Sequence, residues 1–380
     1  MTTHEIHVTD GALAPEAITS EARATLWSTP RELWAPRTVR VHEAGATQAE
    51  PGRVVASTLT AGRPHTSARK IVDVFADTDE AFRDAVAAAV ADRGFVSDTR
   101  PEPIVIKFEE HPGAAPLTEA HAEILADLGF VRDVDPVPSV ESTRPGSATH
   151  ARGWSKWLGA APTRRAPYYG QTTDVTCGAV TSLMMFEGAG LTKFGADGDA
   201  NQSRELSFWR RATNMPACEP VGLAVATAEE ITATGVTRGL PRVILSAEDL
   251  VLLEWYADQP HEYRLREQLQ RDSQRAAKEL GVEIERRWVP VEEIAELVAE
   301  GSDVFLLIDL DPLIGDPTPH WVLAHDVIGD ALIVSDPWVE SEQGETWVDT
   351  SEMPMPFSGV DLVTRWGDPA YRGVIVVPRG

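Results

Sequence analysis

YYGQTTDVTCGAVTSLMMFE, residues 168 to 187, is the stretch on which the reading of this chain turns. Its first half, Gly170-Gln171-Thr172-Thr173-Asp174, is polar and turn-forming, and it leads into Cys177. Beyond the cysteine, Val180, Leu183, Met184 and Phe186 recur at helical spacing, so Cys177 is expected at a helix N-terminus. Unpaired backbone N–H groups and the positive end of the helix dipole there favour a thiolate over a thiol, which makes a nucleophile. Gly178 is expected to keep bulk away from the sulfur. Gln171 precedes the cysteine by six positions, so its amide can fold back beside the sulfur and donate to an oxyanion together with the Cys177 N–H. The competing reading is a buried structural cysteine opening a core helix. A base decides between them.

The search for one leads to HWVLAHDVIGDALIVSDPW, residues 320 to 338, two β-rich runs around a glycine-containing turn. A three-residue loop, Val327-Ile328-Gly329, with Gly329 left-handed, would pair Asp326 with Asp330. His320 then lies directly across from Asp336 on one face, at a Cβ separation of roughly 5 Å, where a carboxylate can orient an imidazole. A two-residue Gly329-Asp330 turn would displace the two from each other. His325 is the rival base, but its odd offset from His320 sends it to the other face of the strand. Taken singly, His320 reads as a satisfied histidine at a strand start and Asp336 as a turn former before Pro337. In the order Gln171, Cys177, His320, Asp336 they read as a catalytic set.

Composition limits what such a set can serve. The chain has 380 residues, 43% of them hydrophobic, enough for two globular domains. A formal charge of −25 opposes binding to nucleic acids and anionic membranes. Two cysteines make no disulfide framework, and the start MTTHEIHVTDGALAP has neither a basic nor an apolar leader region, so a cytoplasmic protein is expected. No stretch approaches the roughly 20 apolar residues that span a bilayer.

Residues 1–150 read as an α+β domain. Strands are expected at Thr38 to His42, Arg53 to Leu59 and Lys70 to Phe75, followed by a helix whose Asp77 and Glu80 stand at capping-box spacing. A strand at Ile104 to Phe108 and a short helix ending at Gly129 complete a β-β-β-α-β-α order. That order resembles part of the N-acetyltransferase fold of the GNAT superfamily. Active members need a glycine-rich, basic turn for the coenzyme A pyrophosphate, whereas FADTDEAF places Asp77, Asp79 and Glu80 there, which implies a degenerate, non-catalytic domain. His65, His111 and His121 show no metal-ligand spacing, and no metal or cofactor is expected. Residues 134 to 167 are rich in Pro, Ser, Gly and Ala, with Trp154 and Trp157 suggesting a docked helical turn; the linker is placed at 151–165.

In the remainder, residues 204 to 215 and 218 to 236 carry helical spacing. Cys218 reads as structural, because Glu219 beside it disfavours a thiolate. Helices are expected from Ser246 through Tyr256, from Glu262 to Leu280 and from Val291 to Ala299, with strands at Val282 to Val289 and Val304 to Ile308.

Residues 166–380 resemble the C39-like peptidase family of the papain-like cysteine protease clan, through Gln171-x5-Cys177-Gly178, His320-Trp321 and Asp336-Pro337. Phe208 to Thr213 and Pro220 to Ala224 also resemble segments of that family, with Glu219 departing from its glycine. The resemblance implies a papain-like fold with Gln171 as oxyanion donor, Cys177 as nucleophile, His320 as base and Asp336 as its orienter. It implies a cysteine peptidase or amidohydrolase cleaving a peptide or isopeptide bond in a peptide or protein substrate through a thioester. A transamidase or cyclase using the same thioester, or a non-catalytic binding module, is the alternative. Trp321, Trp338, Tyr168 and Tyr169 flank these positions and are expected either to wall an apolar substrate site or to pack in the core. Leader cleavage inside transporters, known in better-studied relatives, does not transfer, since membrane and ATP-binding segments are lacking in the sequence.

Overall fold

The computed structural model describes residues 4–43, 52–142, 151–213, 216–236 and 239–379, and it divides into two units. Unit 1 comprises Met1–Asp135, Gly146–Ala161 and Val339–Asp349; unit 2 comprises Pro136–Pro145, Pro162–Trp338 and Thr350–Gly380.

Unit 1 is built on a seven-stranded sheet of β1 (Glu5–Asp10), β2 (Arg37–His42), β3 (Val54–Ala61), β4 (Ala68–Ala76), β5 (Val105–Glu110), β6 (Val131–Arg132) and β7 (Arg152–Trp157). Their spatial order is β1-β2-β3-β4-β5-β7-β6, with β4 and β5 parallel and the other pairs antiparallel. Three helices accompany it: α1 (Glu21–Ser28), α2 (Asp79–Ala91) and α3 (Glu119–Asp127). Phe82 and Val86 of α2 and Leu125 of α3 bury their side chains with Ile71 and Ile106 of the sheet. The cap of α2 is Thr78, which accepts from the Ala81 N–H, one residue beyond the Asp77 expected from the sequence. The stretch read as a linker supplies β7, a strand rather than a helical turn: Gly153 and Ser155 are buried on one face, Arg152 and Trp154 lie on the other, and the strand pairs with both β5 and β6. The domain boundary expected near residue 150 lies outside the described residues.

Val339–Asp349 adds buried charge to unit 1. Glu345 forms a two-pronged ion pair with Arg63, and Lys70 meets both Asp349 and Glu109, the latter at 2.9 Å. Buried charges of this kind are tolerated only when paired.

Unit 2 opens with α4 (Cys177–Gly188), α5 (Gly198–Ala212) and α6 (Pro220–Ala233), followed by β8 (Arg242–Leu245), α7 (Pro260–Leu280), β9 (Glu283–Glu285) and α8 (Val291–Ala299). Then come β10 (Asp303–Asp309), α9 (Asp311–Ile314), β11 (Pro319–Ile328), β12 (Ala331–Ser335), α10 (Trp347–Thr350, of which only Thr350 belongs to unit 2), β13 (Met353–Pro356), α11 (Phe357–Val363) and β14 (Gly373–Val377). The sheet order is β13-β12-β11-β10-β14-β8-β9, antiparallel except for β8 and β9. Every residue of α4 from Cys177 to Phe186 is buried, so this helix forms the middle of the core rather than a one-sided cover. Two expectations fail here. Residues 246 to 253 form a loop, with only a short 3₁₀ turn at Glu254–Tyr256, because Gln270 of α7 holds the Val251 backbone by N–H and carbonyl, and Leu252 takes a φ of 57°. The strand expected at Val282 to Val289 is reduced to three residues. The end of the helix read over 204 to 215 falls partly outside the described residues, and α5 closes at Ala212.

Candidate active site

The turn before α4 is held from several sides. The Gln171 N–H donates to the Pro337 carbonyl at 2.9 Å, tying this turn to the residue after Asp336. The Gln171 side-chain Nε2 donates to the Thr173 carbonyl at 2.8 Å, while its buried Oε1 has no hydrogen-bond partner among the described residues. Turning the amide over would set oxygen against oxygen at Thr173, so the orientation is fixed and one N–H remains to donate. Thr176 occupies the N-cap position of α4 without capping it, its hydroxyl being hydrogen-bonded to Glu205 instead. The Thr176 side chain therefore leaves the first N–H groups of α4, the Cys177 N–H among them, uncapped. Gly178 also has a packing role. A Cβ there would stand 3.0 Å from Leu223, 3.1 Å from Cys218 and 3.2 Å from Trp321, so the glycine admits close packing of α4 on its neighbours.

His320 lies on β11, whose Trp321 carbonyl accepts from the Thr181 hydroxyl of α4 at 3.1 Å. Its Nε2 meets Asp336 Oδ1 at 2.7 Å. The same carboxylate oxygen accepts the Trp338 N–H at 2.8 Å, and the Asp336 N–H donates to Thr350 at 2.9 Å. With Nε2 engaged, Nδ1 is the ring nitrogen left to exchange a proton with Cys177, whose sulfur lies close enough to act on the charge of the imidazole. Burial alone would strip the imidazole of its proton, but the Asp336 carboxylate and the Cys177 sulfur push it up to about 9. The structure thus joins His320 and Asp336 by a hydrogen bond, sets the Cys177 sulfur within electrostatic reach of the imidazole, and ties Gln171 to Pro337, the residue after Asp336.

The hairpin reaches this arrangement by a route the sequence reading missed. The loop is the two-residue Gly329-Asp330 turn, with Gly329 at φ 60°, rather than Val327-Ile328-Gly329. Asp326 pairs with Ile333 and Val327 with Leu332, a register that, continued unbroken, would send Asp336 to the wrong face. A bulge at His325 restores the parity: beyond it Ala324 pairs with Val334 and Leu323 with Ser335. The next step puts Asp336 on the face of Val322 and His320, diagonal to His320 rather than directly opposite. The expectation that a two-residue turn would separate base and carboxylate is therefore incorrect.

His325, the rival base, is fully buried and touches Ser335 Oγ at 3.3 Å. Burial and the charges of Arg164 and Arg379 push it down to about 4, which leaves it neutral. Cys218 is buried as well. Burial, with Cys177 and Glu219 nearby, raises its thiol well above the ordinary range, so it is a poor nucleophile. Glu219 caps α6 by accepting from the Val221 and Gly222 N–H groups, which accounts for an acid at that position.

Beside Cys177 opens a cavity of about 410 Å³, part of it solvent, lined by Val175, Cys218, Leu252, Trp255, Leu307 and Trp321 among others. Of the four aromatic residues considered for a substrate wall, Trp321 lines this cavity. Tyr168 and Tyr169 are buried, with hydroxyls bonded to Thr350 at 2.7 Å and Glu205 at 2.9 Å, and Trp338 is buried too. Trp255, 46% exposed, is a lining residue the sequence reading assigned to a helix. Glu205 was also missed. The available signal was a carboxylate on the face of α5 that carries Asn201, Phe208 and Ala212 into the interior.

A family model described as Peptidase_C39 like family matches residues 166–378, more than half of the chain. No curated protein matches the sequence. With that match extending over the turn, helix and hairpin that gather Cys177, His320 and Asp336, the chain belongs to the Peptidase_C39 like family.

Proposed function

We propose that this protein is a cysteine peptidase or amidohydrolase that cleaves a peptide or isopeptide bond through a thioester on Cys177. The observation that carries this reading is the His320–Asp336 hydrogen bond with the Cys177 sulfur within electrostatic reach of the same imidazole, at a helix N-terminus that Thr176 leaves uncapped. The sulfur attacks the amide carbonyl carbon, and the carbonyl oxygen becomes an oxyanion facing the Cys177 N–H and the second Nε2–H of the Gln171 side chain. His320 gives the proton on Nδ1 to the leaving nitrogen, the C–N bond breaks, and the thioester remains. Water then gives a proton to His320 as it attacks the thioester, the C–S bond breaks, and a carboxylic acid is released while Cys177 returns as the thiolate beside the protonated imidazole. Asp336 holds the ring in one orientation throughout.

Alkylation tests this. Iodoacetamide near neutral pH should label Cys177 rapidly and leave Cys218 unlabelled in the folded protein, as read by peptide mass mapping. Equal labelling of the two, or labelling of Cys218 first, would remove the basis for a nucleophilic Cys177.

For unit 1 the reading is a degenerate, GNAT-like domain without catalytic function, in a protein of the cytoplasm. Its support is the order β1-α1-β2-β3-β4-α2-β5-α3-β6-β7, with β4 and β5 parallel on either side of α2, and the carboxylates of Asp79 and Glu80 in the first turn of α2. Among the described residues no helix is long and apolar enough to cross a membrane. Titration calorimetry with coenzyme A is expected to show no binding heat, because a pyrophosphate at that helix start would meet like charge. Saturable binding would revive an acetyltransferase role.

A further inference from the structure

The geometry points to Glu205 as the positioning residue that holds both oxyanion donors of this site in place. The inference rests on the thiol reading above and concerns a residue outside its Gln171, Cys177, His320 and Asp336 set. Glu205 is fully buried on α5, and its carboxylate gathers four donors. Oε1 accepts the Thr172 N–H at 2.9 Å and the Thr176 hydroxyl; Oε2 accepts the Thr172 hydroxyl at 2.9 Å and the Tyr169 hydroxyl at 2.9 Å. Thr172 follows Gln171 and Thr176 precedes Cys177, so a single side chain grips the turn immediately inside each of its two functional residues.

The Thr176 contact has a further consequence. A threonine in the N-cap position ordinarily turns its oxygen onto the N–H groups of the first helical turn. Here the hydroxyl donates to Glu205, and the N-terminal N–H groups of α4 stay available to an anion. The Thr172 contacts act on the other donor. They fix the backbone between Gln171, anchored to Pro337, and Thr173, whose carbonyl aligns the Gln171 amide. An oxyanion site works only if its donors are already aimed before charge develops, so a loosened turn costs rate without necessarily costing stability.

Two reactions of the same sulfur separate this role from a merely structural one. Alkylation by iodoacetamide displaces iodide at a saturated carbon and forms no oxyanion. Acetylation by p-nitrophenyl acetate forms a bond from Cys177 sulfur to the carbonyl carbon, passes through an oxyanion, and expels p-nitrophenolate, which is counted over a Cys177→Ala blank. Glu205→Ala should lower the acetylation rate roughly 10- to 100-fold while leaving the alkylation rate of Cys177 unchanged. Glu205→Gln keeps one acceptor oxygen for the Thr172 N–H and lets the hydroxyls turn, so it should recover most of the acetylation rate. If Glu205→Ala does not fold, Thr176→Val removes one of the four donors and should show the same split between the two reactions on a smaller scale. Acetylation and alkylation falling together in a folded variant, or neither falling, would overturn the role of Glu205. A wild-type Cys177 that is neither alkylated nor acetylated would instead overturn the thiol reading, and this inference with it.

Discussion

Cys177→Ala is expected to abolish amide cleavage, with a loss on the order of 10⁶-fold where a covalent nucleophile is removed outright. The fold should survive, because Cys177 opens α4 and the truncation removes a single atom, at about 1 kcal/mol or less. Thermal unfolding checks the second half of this statement and a cleavage assay the first. Cys218→Ala is the necessary control. Its thiol is buried and held in the protonated form, so turnover should persist. Activity retained in Cys177→Ala and lost in Cys218→Ala would reverse the assignment.

The second large effect is expected at His320. His320→Ala removes the group that shuttles the proton, worth roughly 10²- to 10⁴-fold. The Asp336 variants should grade below it. Asp336→Ala deletes a hydrogen bond to a charged ring, about 1.5–3 kcal/mol, or roughly 10- to 100-fold in rate. Asp336→Asn should cost less, since an amide oxygen still accepts the imidazole N–H. A pH profile distinguishes the two halves of the Asp336 contribution. The imidazole of His320 is raised to about 9, so the protonated form that donates to the leaving nitrogen persists up to that pH and is lost above it. The alkaline limb of kcat/KM in the wild type should therefore fall near pH 9. Asp336→Asn removes the negative charge that lifts the ring, and the limb should move to lower pH. A limb unmoved by that substitution would show that some other group sets it.

Some of this site is visible in a single stretch of chain. Cys177 at a helix start follows from the polar turn before it and the apolar spacing after it, and α4 begins at that residue. The long helix ending at Gly281, the helix from Val291 to Ala299 and the strand after it are similarly local, each marked by its own periodicity and stop signal. The segment from Ser246 to Tyr256 shows where that logic ends. Its apolar residues suit a helix, but Gln270 and Tyr371, distant in sequence, bind the backbone of Val251 and Leu252 and hold it as a loop.

What the sequence alone determined, then, is the local elements that bear the proposed reactive groups: Gln171 and Cys177 on a turn and helix, His320 and Asp336 on a hairpin. Only the tertiary structure decided how they meet. The contact between His320 and Asp336 depends on a bulge at His325, which shifts pairing by one residue and which no residue preference announces. The brace at Glu205 and the cavity wall at Trp255 come from segments far along the chain from the turn they serve. Turn chemistry and periodicity are properties of neighbouring residues, whereas side-chain partners and strand parity are fixed by packing across the fold, and that information is spread over the whole chain.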